Sequence, residues 1–207
     1  MNDFIIDDVE QREVRNQILV PTFYERFFAG RYAFADSDMA LQKRGIDTVI
    51  KNKKSDVYIE EKIVRWKGRT YTAVCLETKS CTLPGLESAG WMHYSEADFL
   101  LYCMRTEDGS LNAYLIQFSL LKEWFWEKYD SWPLHVEKDR NRTASRIVSL
   151  DAIRDGVGVT EGMEAISKVI EAAWPIRRVS VSHAERLLAR KAIQAKKQFE
   201  FITGRWP

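Results

Sequence analysis

The segment from Gln42 to Val64 limits the fold of this chain most tightly. Two apolar runs, Thr48-Val49-Ile50 and Val57-Tyr58-Ile59-Glu60-Glu61-Lys62-Ile63-Val64, flank the basic turn Lys51-Asn52-Lys53-Lys54-Ser55. Side chains alternate between the two faces of a strand, so Glu60 and Lys62 project together while Ile59, Glu61 and Ile63 project the other way. The turn folds the second run back beside the first, which sets Asp47 next to Glu60. Two such carboxylates can hold Mg²⁺ through oxygen ligands, and a lysine beside them can orient a water or offset charge on a phosphate.

On these residues the sequence resembles the PD-(D/E)XK nuclease superfamily. Gly45-Ile46-Asp47 matches the acid of one core strand and Glu60-Glu61-Lys62 the next, with a spacing similar to that of archaeal Holliday-junction resolvases. Ile46 stands where the superfamily name has Pro, a departure that touches turn geometry and not chemistry. The resemblance covers about the first half of the chain. It implies a restriction-endonuclease-like α/β fold, a mixed central sheet flanked by helices, here with a C-terminal helical extension. The expected activity is Mg²⁺-dependent endonucleolytic hydrolysis of DNA, with Mn²⁺ able to substitute. Asp47, Glu60 and Lys62 are then catalytic, Asp47 and Glu60 hold the metal, and the main-chain carbonyl of Glu61 is a further ligand candidate.

A third strand, expected from Tyr71 to Lys79, would extend the sheet as a meander. It carries a second Glu-x-Lys, Glu77-Thr78-Lys79, which competes for the catalytic assignment. In a simple meander Asp47 lies one strand too far from Glu77, so Asp47, Glu60 and Lys62 form the favoured set. Glu77, on the adjoining strand, is expected to add a metal ligand, and Lys79 a substrate contact. Gln42, Lys43 and Arg44, just ahead of Asp47, are the other expected substrate contacts.

The 207 residues, 45% hydrophobic and 12% aromatic, suffice for one substantial core. The expected organisation is a nuclease core over residues 1–157 and a helical extension over 158–207, packed on the same domain. No apolar run reaches membrane-spanning length, and the first residues lack a basic-then-apolar signal pattern, so a cytoplasmic protein with no membrane partner is expected. Cys75, Cys81 and Cys103 lack paired zinc spacing and read as buried thiols outside disulfides. His93, His135 and His183 lie far apart, and neither Gly-rich phosphate loop occurs, which disfavours zinc, ATP-driven and nicotinamide chemistry.

A net charge of +1 conceals three basic groups. Lys43, Arg44, Lys51, Lys53 and Lys54 flank the candidate site. Lys138, Arg140, Arg142 and Arg146 form the second, and the third runs from Arg177 to Lys197 on a last helix opened by Ser182-His183-Ala184-Glu185. DNA is the expected partner, and a double-strand cutter would work as a homodimer or in a larger nucleoprotein assembly. The rival reading, from another class, is a catalytically silent module that binds nucleic acid or protein, its carboxylates ion-paired to Lys51, Lys62 or Lys79.

Between these landmarks, a helix from Asp7 or Asp8 should kink or restart at Pro21, and Ser37 should cap a short helical turn. Ala97 to Arg105 and Leu111 to Phe118 should pair as a hairpin about Glu107-Asp108-Gly109-Ser110, with Ser119 capping the next helix. Trp124, Phe125, Trp126, Tyr129 and Trp132 read as core, Ser131 to Arg146 as a long polar loop, and Thr160 to Trp174 as helix.

Overall fold

The computed structural model describes residues 12–29, 33–51, 56–64, 71–138 and 141–173. The chain divides into two units, residues 1–174 and 175–207, and the described residues all belong to the first. The helix start expected at Asp7 or Asp8, the turn expected at 52–55, Arg140 and the basic helix expected from Ser182 onward lie outside the described residues.

The elements run α1 (Arg15–Glu25), α2 (Arg26–Phe28), β1 (Ala33–Asp36), α3 (Met39–Gln42), β2 (Thr48–Lys51), β3 (Val57–Val64), β4 (Ala73–Cys81), β5 (Ser88–Ala89) and α4 (Trp91–Tyr94). After them come β6 (Phe99–Arg105), β7 (Leu111–Gln117), α5 (Phe118–Glu127), β8 (Leu134–Val136), β9 (Ala144–Ser149), α6 (Leu150–Val157), β10 (Thr160–Glu161) and α7 (Met163–Ala173). Six strands form a mixed sheet in the order β1-β2-β3-β6-β7-β10, and four form a second sheet, β5-β4-β9-β8. Every pairing is antiparallel except β3 with β6.

Both faces of the six-stranded sheet are buried, and the pleat sorts its residues between two cores. Ile59, Ile63, Leu101, Cys103 and Leu115 pack with Phe23, Tyr24 and Phe28 of α1 and α2 and with Ile166 and Ile170 of α7. Leu100, Tyr102, Met104 and Ile116 face the other way, toward Leu76 and Val148 of the second sheet, Leu121 and Phe125 of α5, and Ile153 of α6. Each such side chain, fully buried, contributes about 1.5–3 kcal/mol against exposure. The architecture is therefore mixed α/β, with a central mixed sheet flanked by helices. No helix among the described residues is long and apolar enough to cross a membrane.

Several expectations are corrected. The strand carrying Glu77 does not extend the meander: β3 has β2 and β6 as neighbours, and β4 stands in the other sheet beside β5 and β9. The helix does not end at Pro21, which lies inside the π-helical α1. Asp38, not Ser37, caps α3 through a 2.9 Å bond from the Leu41 N–H. Ser119 lies within α5, whose cap position is Gln117. The stretch from Ser131 to Arg146 contains β8, which pairs with β9. Residues 160–161 form a strand against β7 ahead of α7. Of the cysteines only Cys103 is buried, Cys81 is half-buried and Cys75 is exposed, none of them in a disulfide.

Candidate functional site

The position of Asp47 follows from a tight exit out of α3. Gly45 takes the left-handed conformation, φ +64°, and donates its N–H to Gln42 O at 2.9 Å. Its carbonyl accepts from Ser95 Oγ at 2.7 Å, and a Cβ at this residue would lie 2.6 Å from Ser95 Cβ. Only glycine meets both demands. Two residues on, the Asp47 N–H donates to Ile59 O at 2.8 Å, and its side-chain Oδ2 accepts the Glu61 N–H at 2.8 Å. Asp47 is thereby fixed to β3 from both its backbone and its carboxylate.

On β3, Glu60 and Lys62 stand opposite Leu100 and Tyr102 of β6 and face the second core, as the alternation requires. Glu60 is buried, with 2% of its surface exposed. Lys62 Nζ is ion-paired to Glu60 Oε1. Glu60 Oε2, also buried, makes no hydrogen bond among the described residues. Burial pushes the Glu60 carboxyl above the usual carboxylate range, Asp47 and Glu61 add to that push, and Lys62 opposes it. For Lys62 burial acts downward, yet Glu60, Asp47 and Glu77 outweigh it and hold the ammonium above its ordinary value. Lys62 therefore stays charged at neutral pH.

Glu77 reaches this cluster from across the two sheets. Its field acts on Lys62 although β4 and β3 are not hydrogen-bonded to each other. Its Oε1 accepts from Ser80 Oγ at 2.8 Å, and its backbone packs so closely on Gly90 that a Cβ there would lie 2.5 Å from Glu77 O. Among the described residues no three His, Cys, Asp or Glu side chains are gathered in ligand geometry. The field of Asp47 acts on both Glu60 and Lys62, and that of Glu77 on Lys62.

Of the expected substrate contacts, Gln42 is exposed and its Nε2 donates to Ser37 O at 3.0 Å. Lys43 is exposed, and Arg44 is bridged to Glu96 Oε2 at 2.8 Å. Lys79 lies on β4, in register with Ala89 and Ala144.

Residues the sequence did not single out complete the site. Trp91 of α4 lays its ring 5.2 Å from Lys62 Nζ. Tyr94, one helical turn on and partly exposed, has its phenol pushed upward by burial and by Glu60, Glu77 and Asp47. Behind β3, Arg15, Tyr24 and Thr48 converge on the Glu61 carboxylate. The aromatic character of Trp91-Met92-His93-Tyr94 was visible, but nothing local placed it beside Lys62. Comparison of the chain with protein-family models, with curated proteins and with solved structures finds no match.

Proposed function

We propose that this chain is a metal-dependent deoxyribonuclease of the PD-(D/E)XK type, cutting DNA internally, with Asp47, Glu60 and Lys62 as its catalytic residues. The observation that carries the reading is the half-satisfied Glu60: a buried carboxylate with one oxygen on Lys62 and the other without a partner among the described residues. Burying a charge costs several kcal/mol unless its hydrogen-bonding capacity is met, so this oxygen is a position where a cation or a water would be bound favourably.

The donor set fits Mg²⁺. Asp47 and Glu60 offer hard oxygens, and Mg²⁺ is commonly held by one or two carboxylates with waters filling the remaining positions. When bound, the ion neutralises charge on the phosphate and makes water a better nucleophile. Lys62, held charged by three carboxylates, donates a hydrogen bond to the attacking water or to a phosphate oxygen and does not take a proton. Trp91 walls one side of Lys62 and limits its hydration. Gln42, Lys43, Arg44 and Lys79 are the proposed backbone contacts, which would fix register without reading sequence. A cytoplasmic location and assembly as a homodimer or in a nucleoprotein complex complete the proposal.

The second reading is a silent binding module, and the closed Glu60–Lys62 contact favours it, because a resting ion pair is what such a module would keep. Cleavage of supercoiled plasmid, single-stranded DNA and a branched junction with Mg²⁺ or Mn²⁺, wild type against Lys62→Ala, separates the two. Metal-dependent cutting that disappears in the variant is expected. DNA binding without cutting by the wild type would leave the module.

A further inference from the structure

The face of β3 turned away from Glu60 and Lys62 is apolar except at one position. Ile59 and Ile63 pack into the core under α1, and between them stands the Glu61 carboxylate, 4% exposed. Oε1 accepts from Tyr24 Oη and from Thr48 Oγ1, each at 2.5 Å, and Oε2 accepts from Arg15 Nε at 2.6 Å. Arg15 also donates to Thr48 Oγ1 at 2.7 Å and pairs with Asp36 Oδ1 at 2.9 Å. One buried carboxylate thus ties α1, β1, β2 and β3 together.

Packing does not need this arrangement. An apolar residue at a buried ion-pair position is often neutral or stabilising, whereas a carboxylate there must have all its bonds met. What the carboxylate adds is direction, since donors from α1 and from the neighbouring strand β2 fix the Glu61 side chain. The backbone N–H of the same residue holds Asp47 Oδ2 at 2.8 Å. Glu61 therefore has its side chain locked to α1 and β2 and its amide locked to the first acid of the site.

We infer that Arg15, Tyr24 and Thr48 are positioning residues: by clamping Glu61 they set where Asp47 stands relative to Glu60. The inference deepens the nuclease reading and takes its catalytic meaning from it. It adds a second layer of residues, on the far side of the sheet, to a site whose first layer is Asp47, Glu60 and Lys62. Partners that orient metal-holding side chains from behind typically change metal affinity by about 10–100-fold when removed.

The test uses the full chain with Tyr24→Phe and Glu61→Gln. Tyr24→Phe removes one donor and keeps the ring against Phe23 and Phe34, at 5.0 and 5.5 Å between centroids, so it folds even if Glu61→Gln does not. The first readout is amide hydrogen exchange at Glu61 by NMR, with Leu101, its register partner on β6, as reference. The expected result is exchange about tenfold faster at Glu61 with Leu101 unchanged, a local opening and not a global one. The second is Mn²⁺ affinity by calorimetry, expected to fall about tenfold or more. Unchanged Glu61 exchange in Tyr24→Phe overturns the inference, and so does faster exchange with wild-type Mn²⁺ affinity. Wild-type protein that binds no Mn²⁺ overturns the nuclease reading instead, and the exchange result then decides alone whether the clamp holds Asp47.

Discussion

Lys62 Nζ is ion-paired to Glu60 Oε1 and stands 5.2 Å from the centre of the Trp91 ring. The two partners are unequally served. Glu60 is almost wholly buried and has one oxygen without a hydrogen bond among the described residues, whereas Lys62 keeps about a third of its side chain at the surface and feels three carboxylates. Among the described residues, three carboxylates from the central sheet, its approach and the second sheet act on this one lysine. That imbalance is unfavourable for a resting protein and favourable for an added cation.

Removing the lysine should separate its two roles. Lys62→Met leaves the Glu60 carboxylate without its only ion-pair partner among the described residues. The expected cost is about 1–3 kcal/mol, because the buried acid can take up a proton in place of the lost partner. Plasmid cutting should vanish in the same variant. Lys62→Arg should recover most of the stability and little of the activity, since a planar guanidinium does not place its donors where an ammonium does. Urea denaturation and plasmid nicking run in parallel check this. Full activity in Lys62→Met would remove Lys62 from the mechanism.

The raised pKa of Glu60 fixes the sign of a pH effect. In the folded chain this carboxyl holds its proton more tightly than at its ordinary value of 4.5, chiefly because of burial. Its contribution to stability is therefore complete below about 4.5 and is lost as pH rises through the higher folded value. Glu60→Gln abolishes that titration. At neutral pH the variant should be as stable as the wild type or more so, with a flatter stability profile above pH 4.5, while binding no Mn²⁺. Stability measured by urea at a series of pH values gives the answer, and parallel curves for the two proteins would contradict it.

The parts of this arrangement carried by local periodicity were legible in the sequence. Alternation along Val57 to Val64 separates Glu60 and Lys62 from Ile59, Glu61 and Ile63, and the structure turns the two sets to opposite faces of the sheet. The Asp108-Gly109 turn marks the β6–β7 hairpin, with Gly109 at φ +84°. Pairing between distant strands was not legible. The next described strand after β3, β4, belongs to the other sheet, and the slot beside β3 is taken in parallel by β6, some forty residues later in register. Nothing in the apolar run from Ala73 to Leu76 says which edge it will join, so Glu77 was placed on an adjoining strand when it belongs to the facing sheet. The Glu61 clamp escaped for a related reason: Arg15 and Tyr24 meet it across 46 and 37 residues of sequence, and only the packing of α1 on the sheet brings them there.

Gly45 offers a test of how far the site depends on its backbone. A side chain there would meet Ser95 Cβ at 2.6 Å and would also have to adopt φ +64°. Gly45→Ala should cost about 2–3 kcal/mol by the sum of overpacking and backbone strain. Relief of the clash displaces the exit from α3, and with it Asp47 two residues away. The variant should therefore lose Mn²⁺ affinity even at temperatures where it remains folded. Calorimetry at low temperature, beside a thermal melt, measures both. Wild-type affinity in a folded Gly45→Ala protein would show that Asp47 is held by β3 alone.

The two acids that act on Lys62 besides Glu60 are expected to differ in weight. Asp47 immediately precedes β2 in the sheet that carries Glu60, with its Oδ2 taken by the Glu61 N–H. Glu77 acts on Lys62 from the facing sheet, and its Oε1 is engaged by Ser80 Oγ at 2.8 Å. Removing a metal-holding carboxylate takes away part of the cation site itself, whereas removing a more distant charge only weakens the field on Lys62, an effect softened by intervening solvent and protein. Asp47→Ala should abolish cutting, and Glu77→Ala should lower it by no more than about tenfold, with the Mn²⁺ affinity of Glu77→Ala close to wild type. Single-turnover cleavage and calorimetry on both variants measure the contrast. If Glu77→Ala is the dead enzyme and Asp47→Ala is active, the catalytic pair is Glu77 with Lys79 on β4, and the site lies on the second sheet.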